Sequence, residues 1–167
     1  MKPLTCFALV ALLALISLPA AAQSGAWTSV ASVGALDPTQ DPLYTTTSTD
    51  LLFRANQTGT ITARYNVTNT YGGGVSDTPP WTTLEMTYTD NSASGFINAM
   101  LVEVDPCTNN GRLICFLSSV DVSSPSCTTC TFPSNSINFG TKLYYVEVNI
   151  SRTSTAAIEI LKALRIY

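Results

Sequence analysis

Between residues 142 and 150 apolar and polar side chains alternate with a period of two. Tyr144, Val146, Val148 and Ile150 fall on one side of an extended chain, and Leu143, Tyr145, Glu147 and Asn149 on the other. This is the pattern of a strand with one face buried. The same alternation runs through residues 58–69, where Ile61, Ala63, Tyr65 and Val67 oppose Thr62, Arg64, Asn66 and Thr68. It recurs in 81–89, where Leu84, Met86 and Tyr88 oppose Thr83, Glu85 and Thr87. Residues 96–104 are more continuously apolar, which predicts a strand covered on both faces or near the centre of a sandwich. Residues 112–122 place Ile114, Phe116, Val120 and Val122 in one phase. Shorter apolar runs at 27–33, an edge strand by its small-residue context, and at 51–53 add two strands.

Breaks fall between these runs. Gly72, Gly73 and Gly74 with Pro79 and Pro80, the turn at 90–95, and Pro106 with Asn109, Asn110 and Gly111 all carry turn-forming residues. Residues 37–49 read as a surface connection rich in Pro, Asp and Thr, and 123–136, with Pro125 and Pro133, read as a loop. The final run, 156–167, has Ile158, Ile160, Leu164 and Ile166 in alternation but Lys162 in phase with them. That pattern fits either a helical turn near its start or a strand with a bulge near Leu161. Read as a strand, it forms a closing hairpin with 142–150 across the polar residues 151–155. Seven or eight strands with turns between them and no helical period predict an all-β fold, an antiparallel β-sandwich of immunoglobulin-like or jelly-roll-like type.

Arg64-Tyr65-Asn66-Val67, Trp81 followed by Tyr88-Thr89-Asp90, and Tyr144 to Val148 leading to Ser151-Arg152 together resemble a pattern of small exported bacterial all-β proteins to which no activity is attached. The likeness spans the chain from Leu51 onward. It implies export and an all-β fold, and no chemistry.

The N-terminus changes the picture of where the protein acts. Lys2, the apolar run 6–18 and the small residues before Gln23 form the pattern of a signal peptide over residues 1–22. An apolar run of about 13 residues is short of the roughly 20 that cross a bilayer. The expected mature chain, 23–167, is one domain, secreted or periplasmic, with no stable membrane insertion. Losing Lys2 takes the formal net charge from −3 to −4, and no basic cluster offers a nucleic-acid footprint. Charged residues make up only 11% of the chain, so the solvated strand faces are mostly neutral and hydroxyl-bearing.

Cys107, Cys115, Cys127 and Cys130 predict two disulfides in an exported chain. If 96–104 and 112–122 are neighbouring antiparallel strands, Cys107 lies at one end of the pair and Cys127 and Cys130 beyond the other, on the order of 25 Å away. That spacing favours Cys107–Cys115 and Cys127–Cys130, unless a long loop after Val122 folds back.

The sequence contains no histidine, which excludes Ser-His-Asp and Cys-His nucleophile systems and imidazole metal sites. The Cys127-Thr128-Thr129-Cys130 spacing lacks the neighbouring positive charge of a redox pair. Asp37, Asp41 and Asp50 are too sparse for a calcium loop and read as turn residues, so no metal or cofactor is expected. Asp90, Glu103, Asp105 and Asp121 are the acids that a carboxylate-based glycoside hydrolase would draw on, the alternative to a non-catalytic module. A small outer-membrane barrel is a further alternative. The candidate ligand-binding residues are Trp81, Tyr71 and Tyr145, with Tyr88 and Trp27 as further aromatics. Their rings would stack on a cell-surface or extracellular glycan, or the module would join a protein assembly through an open edge at 27–33 or 158–167. The bland counterpart is that Trp81 and Tyr88 are core residues.

Overall fold

The alternating segments pair as two antiparallel sheets whose apolar sides face each other. The structure, a computed structural model, describes residues 25–74 and 76–167; the signal-peptide reading lies outside these residues. Among the described residues eleven strands form: β1 (Trp27–Val30), β2 (Ala35–Leu36), β3 (Tyr44–Thr46), β4 (Leu51–Phe53), β5 (Gly59–Val67), β6 (Thr83–Asp90), β7 (Gly95–Val104), β8 (Gly111–Ser118), β9 (Val122–Thr131), β10 (Leu143–Arg152) and β11 (Glu159–Ile166). One sheet has the order β3-β4-β11-β6-β9, with β1 also alongside β11. The other has the order β2-β5-β10-β7-β8. Tyr88, Leu84, Met86, Leu101, Ile150 and Leu164 are among the side chains that fill the space between them. The strands thus make two open sheets packed face to face and not a closed cylinder, and no helix among the described residues is long and apolar enough to cross a membrane.

The predicted strands at 58–69, 81–89, 96–104 and 142–150 lie where the alternation puts them. Residues 156–167 are a strand from Glu159, with the register shift between Leu161 and Ala163 that brings Lys162 out of phase. Five expectations are corrected. Eleven strands replace seven or eight, because β2, β3 and β9 carry no alternation strong enough to announce them. The segment read as a loop at 123–136 contains β9, in which hydroxyl-bearing residues and Pro125 are tolerated at a sheet edge. β10 and β11 do not form a hairpin: β10 lies between β5 and β7, and β11 between β6 on one side and β4 and β1 on the other. Residues 158–167 therefore offer no open edge. Of the two readings of 96–104, β7 has the inner place in its sheet, between β10 and β8, and one covered face; its outward Phe96 is 43% exposed.

The fifth correction concerns the cysteines. β8 ends at Ser118 and the chain crosses to the other sheet, where β9 runs back beside β6. This return brings Cys130 to 6.0 Å, Cα to Cα, from Cys115, and these two form the disulfide. The pairs Cys107–Cys115 and Cys127–Cys130 do not form; Cys107 and Cys127 are exposed thiols. This bridge joins the edge strand of one sheet to the edge strand of the other.

At the opposite end of β10 the interior is charged. Arg152 is buried over the Phe53 ring, 4.5 Å from its centroid. It donates to the carbonyls of Gln57 (2.6 Å), Arg54 (2.8 Å) and Ala157 (3.1 Å). Asp90 and Glu159 lie opposite each other in register and are both buried. Asp90 accepts from Ser119, whereas both carboxylate oxygens of Glu159 are buried with no hydrogen-bond partner. A Cβ at Gly95 would overlap the Glu159 carboxylate, so a larger residue there must displace that side chain.

Candidate functional site

The outward side chains of the five-stranded sheet form ordered rows across it. The strand register sets Thr62, Asn149, Asn98 and Ser118 in one row. Arg64, Glu147, Met100 and Phe116 make the next, and Asn66, Tyr145, Val102 and Leu113 the third. The half on β5 and β10 is polar and internally bonded. Thr62 Oγ1 donates to Asn149 Oδ1 at 2.8 Å, Arg64 Nε donates to Glu147 Oε2 at 2.8 Å, and the Arg64 guanidinium lies 5.8 Å from the centroid of the Tyr145 ring. On β7 and β8 the first row is polar, at Asn98 and Ser118, and the other two rows are apolar, with Phe116 49% and Leu113 55% exposed.

Along the outer border of β5 runs the short strand β2, followed by the turn at Pro38–Gln40. A hollow of about 520 Å³ lies there, lined by Ala35, Leu36, Asp37, Thr62, Arg64 and Glu147. Asp37 accepts from Thr39 Oγ1 (2.7 Å) and Thr39 N (2.9 Å), and these bonds hold its carboxyl below the usual carboxylate range. The hydrogen bond that Arg64 donates to Glu147 raises the already high Arg64 value. The hollow is therefore lined by the opposed charges of Asp37, Arg64 and Glu147 and by the Thr62 hydroxyl, beside the apolar Ala35 and Leu36.

The structure brings two of the three sequence-predicted aromatics together and separates the third. Trp81 is 3% exposed, donates its indole N–H to the Gly25 carbonyl at 3.0 Å and meets Phe139 edge-on, 6.1 Å between centroids. Tyr71, in a short 3-10 turn at Tyr71–Gly74, is half-buried beside it. These two, with Ala26, Pro80, Arg165 and Tyr167, line a notch of about 310 Å³ at one end of the sandwich. Tyr145 instead stands on the broad sheet face. Trp27 and Tyr88 are buried in the core.

The acids are dispersed in the same way. Glu103 is paired with Arg112 at 3.0 Å and Asp105 with Lys142 at 2.7 Å. Asp41 lies 3.6 Å from Arg54 and Asp50 3.7 Å from Lys162, while Asp37 is bonded to Thr39. Among the described residues no group of three or more Cys, Asp or Glu side chains is placed to hold a metal ion.

Sequence reasoning missed Phe116 as a surface residue and placed it with the core. The ladder between β7 and β8 shifts by one residue between Leu101 and Val102. The buried phase of β8 is consequently Cys115 and Leu117, and Phe116 is turned outward. The signal that could have revealed this was Cys115 itself, since a bridged cysteine in a sandwich belongs to the inward phase.

No family model and no curated protein matches the chain. Among solved structures, it is similar to a carbohydrate-binding module of family 36 in complex with calcium and xylotriose, with a TM-score of 0.47, 10% identity, and coverage of 84% of this chain and 99% of that one. It is also similar to the family 11 carbohydrate-binding module from Clostridium thermocellum in complex with a β-1,3-1,4-mixed-linked tetrasaccharide (0.43, 9%, 84% and 86%). A third likeness is to the isomalto-dextranase of Arthrobacter globiformis T6 complexed with panose (0.46, 11%), of which the chain spans 24%.

Proposed function

We propose that this protein is an exported, non-catalytic binding module that takes a carbohydrate chain across the outer face of its five-stranded sheet. The observation that carries the reading is the mixed face itself. Aromatic and apolar groups at Tyr145, Phe116 and Phe96 border a row of amides and hydroxyls at Asn98, Asn149 and Thr62. A sugar ring is similarly two-sided, with C–H faces that pack on aromatic rings and hydroxyls that bridge amide donors and acceptors. Asn149, already accepting from Thr62, keeps its amide hydrogens for a ligand oxygen. Of the four acids that a hydrolase would draw on, Glu103 and Asp105 are held in ion pairs, Asp90 is buried and accepts from Ser119, and Asp121 is exposed between β8 and β9.

Export rests on the pattern over residues 1–22. The protein recovered from periplasm or culture medium is expected to begin at Gln23; recovery with Met1 retained, in the cytoplasm, would count against it.

Binding is tested by affinity electrophoresis through gels containing soluble xylan, mixed-linkage β-glucan or a dextran. At least one polysaccharide is expected to retard the protein. Tyr145→Ala is expected to weaken that retardation about tenfold, the loss of one stacking contact worth about 1.4 kcal/mol, while Tyr71→Ala in the separate notch leaves it unchanged. No retardation in any gel, or sensitivity to Tyr71 and not Tyr145, would remove this face from consideration.

A further inference from the structure

We propose that the open edge of β9 pairs with the β9 edge of a second copy of this chain, antiparallel, about a two-fold axis at Cys127. The phase of the ladder sets which groups face outward. Thr83 exchanges main-chain hydrogen bonds with Tyr167 on the β11 side, so Leu84, next along β6, turns its N–H and C=O toward β9. Leu84 is the register partner of Cys130. The main-chain groups of Cys130, Thr128 and Ser126 therefore serve β6, and those of Cys127 and Thr129 point to the open edge. Pro125 shares that outward phase, where its missing N–H costs the sheet nothing.

The occupant follows from the composition of this edge. A two-fold axis sets each strand residue against its symmetry mate or a near neighbour, so a charged strand would oppose like charges. β9 has no charged residue in its ten positions. A two-fold axis perpendicular to a continuous antiparallel sheet passes midway between one residue and its own mate, and the midpoint of β9 falls between Ser126 and Cys127. Centring on Cys127 pairs Thr128 with Ser126, Thr129 with Pro125, and Cys127 with itself. Cys127 then exchanges both main-chain bonds with its counterpart, and Thr129 donates to the opposite Pro125 carbonyl.

The thiol fits the same axis. Cys127 is exposed and shares the outer sheet face with Thr87, whose Oγ1 is 3.4 Å from its sulfur. Cys107 cannot reach it within one chain. Cys107 lies beyond Gly111 on one side of the Cys115–Cys130 bridge and Cys127 on the other, more than ~20 Å apart along the strands. Directly opposed residues in such a pair have Cα atoms about 5.5 Å apart, within the range a disulfide spans. With oxidised glutathione, one Cys127 thiolate attacks the small disulfide and releases one glutathione thiol. The second Cys127 thiolate then attacks the mixed disulfide and releases the other, leaving one interchain S–S bond.

Light scattering across a dilution series of the mature protein, followed by non-reducing gels after oxidation with glutathione disulfide, tests the interface. Wild type and Cys127→Ser are expected to form dimers. The covalent dimer disappears in Cys127→Ser and persists in Cys107→Ser. Cys127→Lys and Cys127→Glu, each opposing like charges at the axis, are expected to dimerise roughly tenfold more weakly, and mixing those two variants restores a heterodimer. The inference is overturned if wild type and Cys127→Ser are monomeric throughout, if the cross-link runs through Cys107, if Cys127→Lys dimerises like wild type, or if the mixture yields no heterodimer.

Discussion

Arg152→Met is expected to lower folding stability by about 3–5 kcal/mol, the usual cost of breaking a buried charge network by removing one member. The side chain is a hub and not a surface charge. Its three nitrogen donors satisfy the carbonyls of Gln57, Arg54 and Ala157, which tie the segments before β5 and after β10 to the end of the sandwich. Methionine preserves most of the volume against Phe53 but leaves those carbonyls without their donor. It also removes the positive charge that opposes the rise in the Glu159 value. Urea denaturation checks the magnitude, and the melting temperature should fall by on the order of 10 °C. A loss below about 1 kcal/mol would mean that water replaces the guanidinium at little cost. In a Glu159→Gln background the loss on Arg152→Met should be smaller, because the guanidinium then no longer offsets a buried carboxylate.

Glu159→Gln is expected to raise stability by about 3 kcal/mol above pH 7 and to leave it nearly unchanged at pH 4. Burial first, and the Asp90 carboxylate second, push the Glu159 carboxyl from its ordinary 4.5 to about 7. The folded protein therefore holds a proton there that the unfolded chain has already lost. Between those two values the native state binds more protons than the unfolded state, so stability falls as pH rises through this window. It is highest below about 4.5 as far as this group is concerned, and the full penalty is present above 7. A shift of about 2.5 pH units corresponds to about 3 kcal/mol. Glutamine keeps the shape beside Gly95 without the charge, so the variant should lose this pH dependence. Denaturant midpoints measured from pH 4 to pH 8 decide the matter: a wild-type stability that rises with pH across this window would show that the Glu159 carboxylate is charged and compensated.

The two-sided strands were readable because a buried face leaves a mark at every second residue. Tyr65, Leu84, Met86 and Val146 are in the core as their phase requires. Tyr145 was legible as a candidate for the same reason, being an aromatic in the outward phase of a firm strand. Phe116 was not, because one bulge reverses the phase of everything beyond it. β9 was not, because an edge strand of Ser, Thr and Cys has no buried face of its own to make a pattern. Trp81 looked like a ligand-binding ring and is a core ring, a distinction that depends on Gly25 and Phe139 arriving from distant parts of the chain.

Taken alone, the order of side chains determined that this chain forms amphipathic strands, that they pack as antiparallel β-layers, and that histidine chemistry is absent. Those are local properties, set by a period of two and by composition. Tertiary structure decided that Cys115 meets Cys130, that β11 is central and β9 exposed, and that Arg152, Asp90 and Glu159 share one buried end. The reason is physical. Strand pairing order, register shifts and crossovers between sheets depend on which distant segments close their loops against each other, and no alternation within a single segment records that choice.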